Sequence, residues 1–426
     1  MHQFHYQNDH LHCEEVSLQA LAEEHGTPLY VYSANTIREN YRRLDTALEG
    51  LDHHIAYAVK ANSNLSVLGL LADLKSGFDI VSGGELFRVI NAGGDPKLCT
   101  FAGVGKTAHE IMFALEQEVY CFNIESVAEL EFLNEVAGSM NATAPIAVRI
   151  NPNVDAKTHK YISTGKAENK FGIDYQAASD VYQRAEGLSN ILIRGVQMHI
   201  GSQLTTAAPF VEAVERVVPL AAELKTAHNI EFFSIGGGIG IVYDPALASG
   251  QGDWWEQQSE PPLSPETYAH ELVPRLQPLG LKILLEPGRY MTGNAGVLLT
   301  TCLYEKKGRE KNFKVVDAGM NDLIRPALYQ GHHEIVPVRE SVRESLLVAD
   351  VVGPICESGD FFCENRELAD FHADDVVALM SAGAYSFTMA SNYNSRPMPA
   401  EILVDGADSK LVRKRQCWDD LIALER

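Results

Sequence analysis

From residue 54 to residue 290 one unit recurs along the chain: a short β-rich run, a turn of small or polar residues, then a segment whose apolar residues return every three or four positions. The β-rich runs are HIAYAV (54–59), FDIV (78–81), LCTFA (98–102), YCFNI (120–124), PIAVRI (145–150), IRGVQMHI (193–200), IEFFSI (230–235) and KILLE (282–286). Segments between them, such as LSVLGLLADL, GELFRVINAG and PFVEAVERVVPLAAELKTA, carry the spacing of amphipathic helices. Strand–helix alternation of this kind calls for a parallel sheet, and eight units close into a (β/α)8 barrel. A doubly wound open sheet is the competing arrangement.

Beyond residue 290 the pattern changes. GVLLTTCLYEKK, FKVVDAG, SLLVADVVG and DVVALMSAGAY are β-rich and closely spaced, without long helices between them, which predicts an all-β domain of sandwich or Greek-key type. PLYVYS (28–33) follows a helix ending near Gly26 and is expected to join that domain from the N-terminal side. The expected division is therefore an α/β barrel over residues 35–290 and a β-domain built from 1–34 and 291–426. GQGDWWEQQSEPPLSPE (250–266) is a long excursion, restarted as a helix by Ser264 as N-cap with Pro265 at the first helical position. Trp254 and Trp255 within it either pack down the loop or line a pocket.

Composition narrows the function classes. The 426 residues are 46% hydrophobic and 22% charged, ordinary globular usage with room for a sizeable core. Against 35 Lys and Arg stand 57 Asp and Glu, a formal charge of −22, and such a surface repels nucleic-acid backbones and anionic lipid. No run approaches the ~20 apolar residues of a membrane span, so a cytoplasmic protein without nucleic-acid or membrane partners is expected. The seven cysteines are scattered and include no CxxC pair, which argues for reduced, mostly buried thiols. His10-Leu11-His12-Cys13 lacks a spaced partner pair, so no metal is expected.

A barrel carries its chemistry where strands end and βα-loops begin. The octapeptide IAYAVKAN (55–62) places Lys60 there, although read alone it is only a surface lysine that ends a strand. Gly236-Gly237-Gly238 follows the seventh run and Glu286-Pro287-Gly288-Arg289 ends the eighth, the two positions at which barrels commonly bind phosphate. Three glycines also suit any tight turn. A lysine amine and a phosphate site at one mouth point to pyridoxal 5′-phosphate held as a Schiff base, with partial desolvation favouring the neutral, nucleophilic amine. The ring nitrogen must then be kept protonated, a task for the carboxylate of Glu286. The alternative for Glu286 is a structural pairing with Arg289.

YAVKAN, SGFDIVSGGEL, NKFGI, QMHIGSQ, GGGIG, EPGRYM, RPALY, CESGD and SAGAYSFTMASNYN occur in this order. Together they resemble the fold-type III pyridoxal-phosphate-dependent decarboxylases, in the branch that acts on diaminopimelate, from about residue 14 to near the C-terminus. The resemblance implies an N-terminal barrel, a C-terminal β-domain that takes up the N-terminal segment, and a homodimer with active sites shared between subunits. It implies Lys60 as the Schiff-base lysine, Asp79 and Arg149 in the polar surround, and His199 against the cofactor ring. Ser202, Gly237, Gly238, the backbone from Glu286 through Gly288 to Arg289, and Tyr385 would hold the phosphate. Arg289, Arg325 and Tyr329, with Tyr385 nearby, would bind the substrate. Cys356 would return a proton to the carbanion carbon and Glu357 would bind the distant amino group, both from the partner subunit.

Each role has its own chemistry. A neutral imidazole gives apolar contact without a competing charge, though a buried structural histidine reads the same way. Arg289 and Arg325 offer forked donors suited to carboxylate. A thiol with a pKa near ~8.5 is mostly protonated at neutral pH and can donate. The implied reaction is decarboxylation of a small amino acid, meso-2,6-diaminopimelate, to L-lysine and CO2, the last step of lysine biosynthesis. The glutamate of CESGD suits a substrate whose far end bears an amine, and the arginines answer its second carboxylate. Carboxynorspermidine decarboxylases, other basic amino-acid decarboxylases of the fold and a non-catalytic cofactor-binding relative are the alternatives. A racemase would favour arginine at the ring nitrogen, where this chain has Glu286.

Overall fold

The computed structural model describes residues 2–155, 170–243 and 263–426. Residues 157–169, where the sequence places a loop that is expected to close over substrate, and both Trp254 and Trp255 lie outside them.

All eight β-rich runs form strands: His53–Ala58, Gly77–Ile80, Cys99–Phe101, Cys121–Ile124, Ala144–Asn151, Ile191–Met198, Phe232–Ser234 and Lys282–Leu285. Each pairs in parallel with the next. The eighth pairs with the first, Ile283 opposite His53 and Leu285 opposite Ile55. The sheet is therefore a closed barrel, not an open one, and closure removes exposed sheet edges. The first strand stops earlier than the run suggested. Val59–Ala61 form a single 3-10 turn, so Lys60 stands just beyond the strand rather than at its end.

Helices begin at the strand-exit side under local control. Ser82 accepts a hydrogen bond from the Glu85 N–H and Ser126 from that of Glu129, while Thr107 and Glu110 form a reciprocal capping box. Each cap satisfies a backbone donor the helix start would otherwise strand, worth about 1 kcal/mol. The Ser264 cap is also present: its Oγ accepts from the Thr267 N–H, with Pro265 first in the helix Pro265–Leu276.

The barrel interior changes character along its axis. Cys121, Ala147, Phe232 and Leu284, from the fourth, fifth, seventh and eighth strands, form a buried apolar cluster. The sixth strand contributes Gly195, where an added Cβ would lie 2.5 Å from the Phe232 ring. Strand side chains repeat every two residues, so the next inward layer is Asn123, Arg149, Gln197, Ser234 and Glu286. All five are buried. An apolar floor thus gives way to a polar layer at the end where the βα-loops start.

The described residues of Met1–Asn40, Ile241–Pro261 and Met291–Arg426 form one compact unit, and those of Tyr41–Gly240 and Pro262–Tyr290 the other. The former is β-rich. Its long strand Gly296–Lys307 pairs antiparallel with Leu29–Ser33 and Val376–Leu379 along its first half, and with Asn312–Val316 along its second. Leu29–Ser33, from PLYVYS, lies between that strand and Ala400–Asp405. One face of it, Leu29 and Val31, packs into a core with Val297, Leu299, Ala378 and Ile402, which the N-terminal Phe4, Leu11 and Cys13 also enter. On the other face the Tyr32 hydroxyl donates to Glu401 Oε1 at 2.7 Å. Cys13, Cys99, Cys121, Cys302 and Cys363 are buried free thiols, whereas Cys356 and Cys417 are exposed. Among the described residues no helix is long and apolar enough to cross a membrane.

Candidate active site

The register of the first two barrel strands sets Ala58 opposite Asp79. Two residues beyond Ala58, the Nζ of Lys60 donates to Asp79 Oδ2 at 2.5 Å. The sequence predicted a partly desolvated amine. The Lys60 side chain is 40% exposed and is ion-paired, while that of Asp79 is 2% exposed. The second Asp79 oxygen, Oδ1, is buried and accepts no hydrogen bond among the described residues.

Glu286 sits in the polar layer with both oxygens engaged: Ser234 Oγ donates to Oε1 at 2.7 Å and Gln197 Nε2 to Oε2 at 2.9 Å. Arg289 donates instead to Ser202 Oγ, at 3.3 Å. Burial, reinforced by the negative charge of Asp79, pushes the Glu286 carboxyl up to about 7. Glu85, whose Oε2 accepts the Val81 N–H at 2.8 Å, is also raised by burial to about 7, against the pull of Lys60.

The Gly237 N–H donates to His199 Nδ1 at 3.2 Å. A backbone N–H can only donate, so Nδ1 carries the lone pair and the ring is the neutral Nε2–H form. Desolvation, then the charges of Arg149 and Lys60, holds this imidazole well below its ordinary range. Around it the loops after the sixth, seventh and eighth strands run backbone against backbone. The Glu286 N–H donates to Gly236 O at 2.8 Å and the Leu204 N–H to Gly238 O at 2.9 Å. A Cβ on Gly237 would meet Glu286 O at 2.1 Å, and Gly238 has φ +118°. Glycine is required there because any side chain would separate the loops. Arg149 donates to Glu125 Oε1 at 3.0 Å and lies over the Phe171 ring.

These residues fit pyridoxal 5′-phosphate. A buried carboxylate oxygen at Asp79 lacks a donor among the described residues, a neutral flat ring stands at His199, glycine backbone packs closely at Gly237 and Gly238, and a buried carboxyl stands at Glu286.

Gly288, between Glu286 and Arg289, belongs to the barrel unit, and the remaining predicted residues lie in the β-rich unit. Arg325 opens the short helix Arg325–Tyr329, is buried, and places its guanidinium 4.5 Å from the Tyr243 ring centroid. Tyr329 and Tyr385 are half-buried, the latter with φ +54°. Cys356 and Glu357 are exposed on a turn that Asp360 staples, accepting the Met320 and Ile355 N–H groups at 2.6 Å each. The Cys356 N–H donates to Asn394 Oδ1 at 2.8 Å. Glu305, Asp370 and His372 converge as cation ligands would, but the Lys314 ammonium sits 2.8 Å from Glu305 and 2.7 Å from Asp370.

Sequence reasoning missed Gln197, Ser234, Glu85, Glu125 and Asp360. A signal existed for the first two: each is a lone polar residue at an inward position of a buried strand, two places past an interior residue.

A closed barrel with a lysine–aspartate pair at its mouth, a glycine-lined loop junction and a buried carboxyl fits a pyridoxal-phosphate enzyme of the barrel type. The chain belongs to the pyridoxal-dependent decarboxylase family: residues 34–293 match the profile described as "Pyridoxal-dependent decarboxylase, pyridoxal binding domain". Its relatives narrow the class. It is 48% identical to the diaminopimelate decarboxylase of Vibrio cholerae serotype O1, over 100% of this chain and 99% of that one. It is similar to the crystal structure of diaminopimelate decarboxylase from Helicobacter pylori complexed with L-lysine, at 40% identity and TM-score 0.88, covering 96% of this chain and 98% of that one. The corresponding enzyme from M. jannaschii, also in complex with L-lysine, matches at 35% identity and TM-score 0.91 over 100% and 98%.

Proposed function

We infer that this chain decarboxylates meso-2,6-diaminopimelate to L-lysine and CO2, the last step of lysine biosynthesis, as a cytoplasmic enzyme dependent on pyridoxal 5′-phosphate. The observation that carries the reading is likeness over the whole chain to diaminopimelate decarboxylases, rather than over the barrel alone. The β-rich unit holds the residues that would recognise the substrate's far end.

When bound, the cofactor supplies an electron sink for the pair released as CO2 departs. Lys60 would anchor its aldehyde, and Asp79, which accepts from that amine, would take or return its proton. Glu286, pushed up to about 7 and held by Ser234 and Gln197, would share a proton with the ring nitrogen. His199, a neutral imidazole, would face the ring, with Asp79 and Arg149 in the polar surround. Ser202, Gly237, Gly238, Gly288, Arg289 and Tyr385 would bind phosphate. Arg289, Arg325 and Tyr329 would hold a substrate carboxylate, Glu357 the distal ammonium, and the Cys356 thiol would supply the proton for the carbon that loses CO2.

We also propose that Cys356 and Glu357 act in the partner's site within a homodimer. Both are exposed. The barrel, for its part, exposes Leu65, Val81, Val104 and Val127 in or beside the loops after its first four strands. An apolar rim of this kind around a catalytic mouth is suited to cover by another chain.

The test is CO2 release by purified holoenzyme on meso-diaminopimelate, carboxynorspermidine and ornithine. Turnover of diaminopimelate to lysine supports the reading. Turnover of carboxynorspermidine with none of diaminopimelate overturns it, and bound cofactor without turnover of any substrate would make the chain a binding protein.

A further inference from the structure

We propose that His333 is the positioning residue for Arg325, and that the pair sets the preference for a substrate with a second carboxylate. The proposal rests on reading Arg325 as a carboxylate binder.

Arg325 NH1 lies 2.6 Å from His333 Nε2, and His333 Nδ1 lies 2.8 Å from the carbonyl oxygen of Met380. A guanidinium only donates and a carbonyl only accepts. Nε2 therefore carries the lone pair and Nδ1 the hydrogen, which fixes one neutral tautomer. The imidazole is a rigid strut between backbone and guanidinium.

Both ends of the strut are held. His333 is 0% exposed and Arg325 6%. Ile335 pairs with Leu379 in antiparallel register, the Met380 N–H donates to Glu334 O at 2.8 Å, and Arg366 donates to His333 O at 2.6 Å. The Tyr243 ring meets His333 edge-on at 5.6 Å and lies against the guanidinium. An added Cβ on Gly331 would stand 3.3 Å from Arg325 NH2.

A buried histidine often does no more than satisfy a core, but the choice of acceptor separates the two cases. A carboxylate in this place would hold the guanidinium and also neutralise it. An imidazole holds one N–H as a neutral acceptor and brings no negative charge of its own.

Two substitutions split the strut. His333→Asn keeps a donor for the Met380 carbonyl but falls short of Arg325, whereas His333→Gln keeps an acceptor at the reach of Nε2. Inhibition constants are measured for L-lysine, which retains a carboxylate, and for 1,5-diaminopentane, which has none. His333→Asn should weaken lysine inhibition and raise KM for diaminopimelate by about tenfold or more, with diaminopentane inhibition and the cofactor spectrum unchanged. His333→Gln should recover most of the loss. Equal behaviour of the two variants, or wild-type discrimination in His333→Asn, overturns the positioning role. Arg325→Gln serves as control: if it leaves lysine and diaminopentane inhibition unchanged, the reading of Arg325 itself fails and the proposal with it.

Discussion

Lys60 and Asp79 meet at 2.5 Å because the register of two neighbouring strands sets Ala58 beside Asp79 and one 3-10 turn carries the amine past the strand end. The pairing puts the amine proposed as the cofactor's anchor beside a proton acceptor. Lys60→Ala should reduce turnover to background. Borohydride, which should fix cofactor to the wild-type chain and abolish its visible band, should fix none to the variant. Mass spectrometry of the reduced protein reads this directly, and undiminished labelling would place the anchor on another amine.

Glu286 titrates near 7 in the folded chain against an ordinary value of 4.5. Between those values the folded state binds more protons than the unfolded one. Its contribution to stability is thus fully present below pH 4.5 and is lost as pH rises through 7. The difference amounts to on the order of 3 kcal/mol, and Glu85 acts in the same direction. Cofactor-free protein should lose stability toward alkaline pH in urea titrations, and Glu286→Gln should flatten that slope while cutting holoenzyme turnover ~10²-fold or more. Parallel pH profiles for the two proteins would remove Glu286 from the account.

Cys356 is exposed, and its backbone N–H is held by Asn394 Oδ1. If it supplies the final proton, Cys356→Ala should lower turnover by ~10²–10⁴-fold with an unaltered cofactor spectrum. Mixing this variant with Lys60→Ala tests the shared site. Activity should reappear when subunits exchange, since one of the two mixed sites then has both groups; persistent inactivity of a verified mixed dimer argues against sharing.

Asp360 binds two backbone N–H groups and is buried. Asp360→Ala leaves both donors without that acceptor, at about 1–3 kcal/mol each. Urea denaturation should register the loss, and turnover should fall with retained cofactor binding, because the turn carrying Cys356 and Glu357 slackens. Unchanged stability would show that another group satisfies those donors.

Residues whose role follows from local chain properties were legible in one dimension. Strand–helix periodicity announces the eight-unit barrel, PLYVYS announces a strand for the β-rich unit, Ser264-Pro265 announces a helix start, and the glycines after the seventh strand announce a close backbone approach. Those signals depend on spacing along the chain and on conformations that only certain residues tolerate. The supports of the site do not. Ser234 and Gln197 reach Glu286 from different strands, Glu125 reaches Arg149 across strand ends, and His333 reaches both Arg325 and Met380. Closure of the barrel and pairing of distant strands decide such contacts, and with them the raised carboxyl of Glu286 and the single tautomer of His199. Burial and partner geometry are properties of the folded space, so chemistry that depends on them enters only with the tertiary structure.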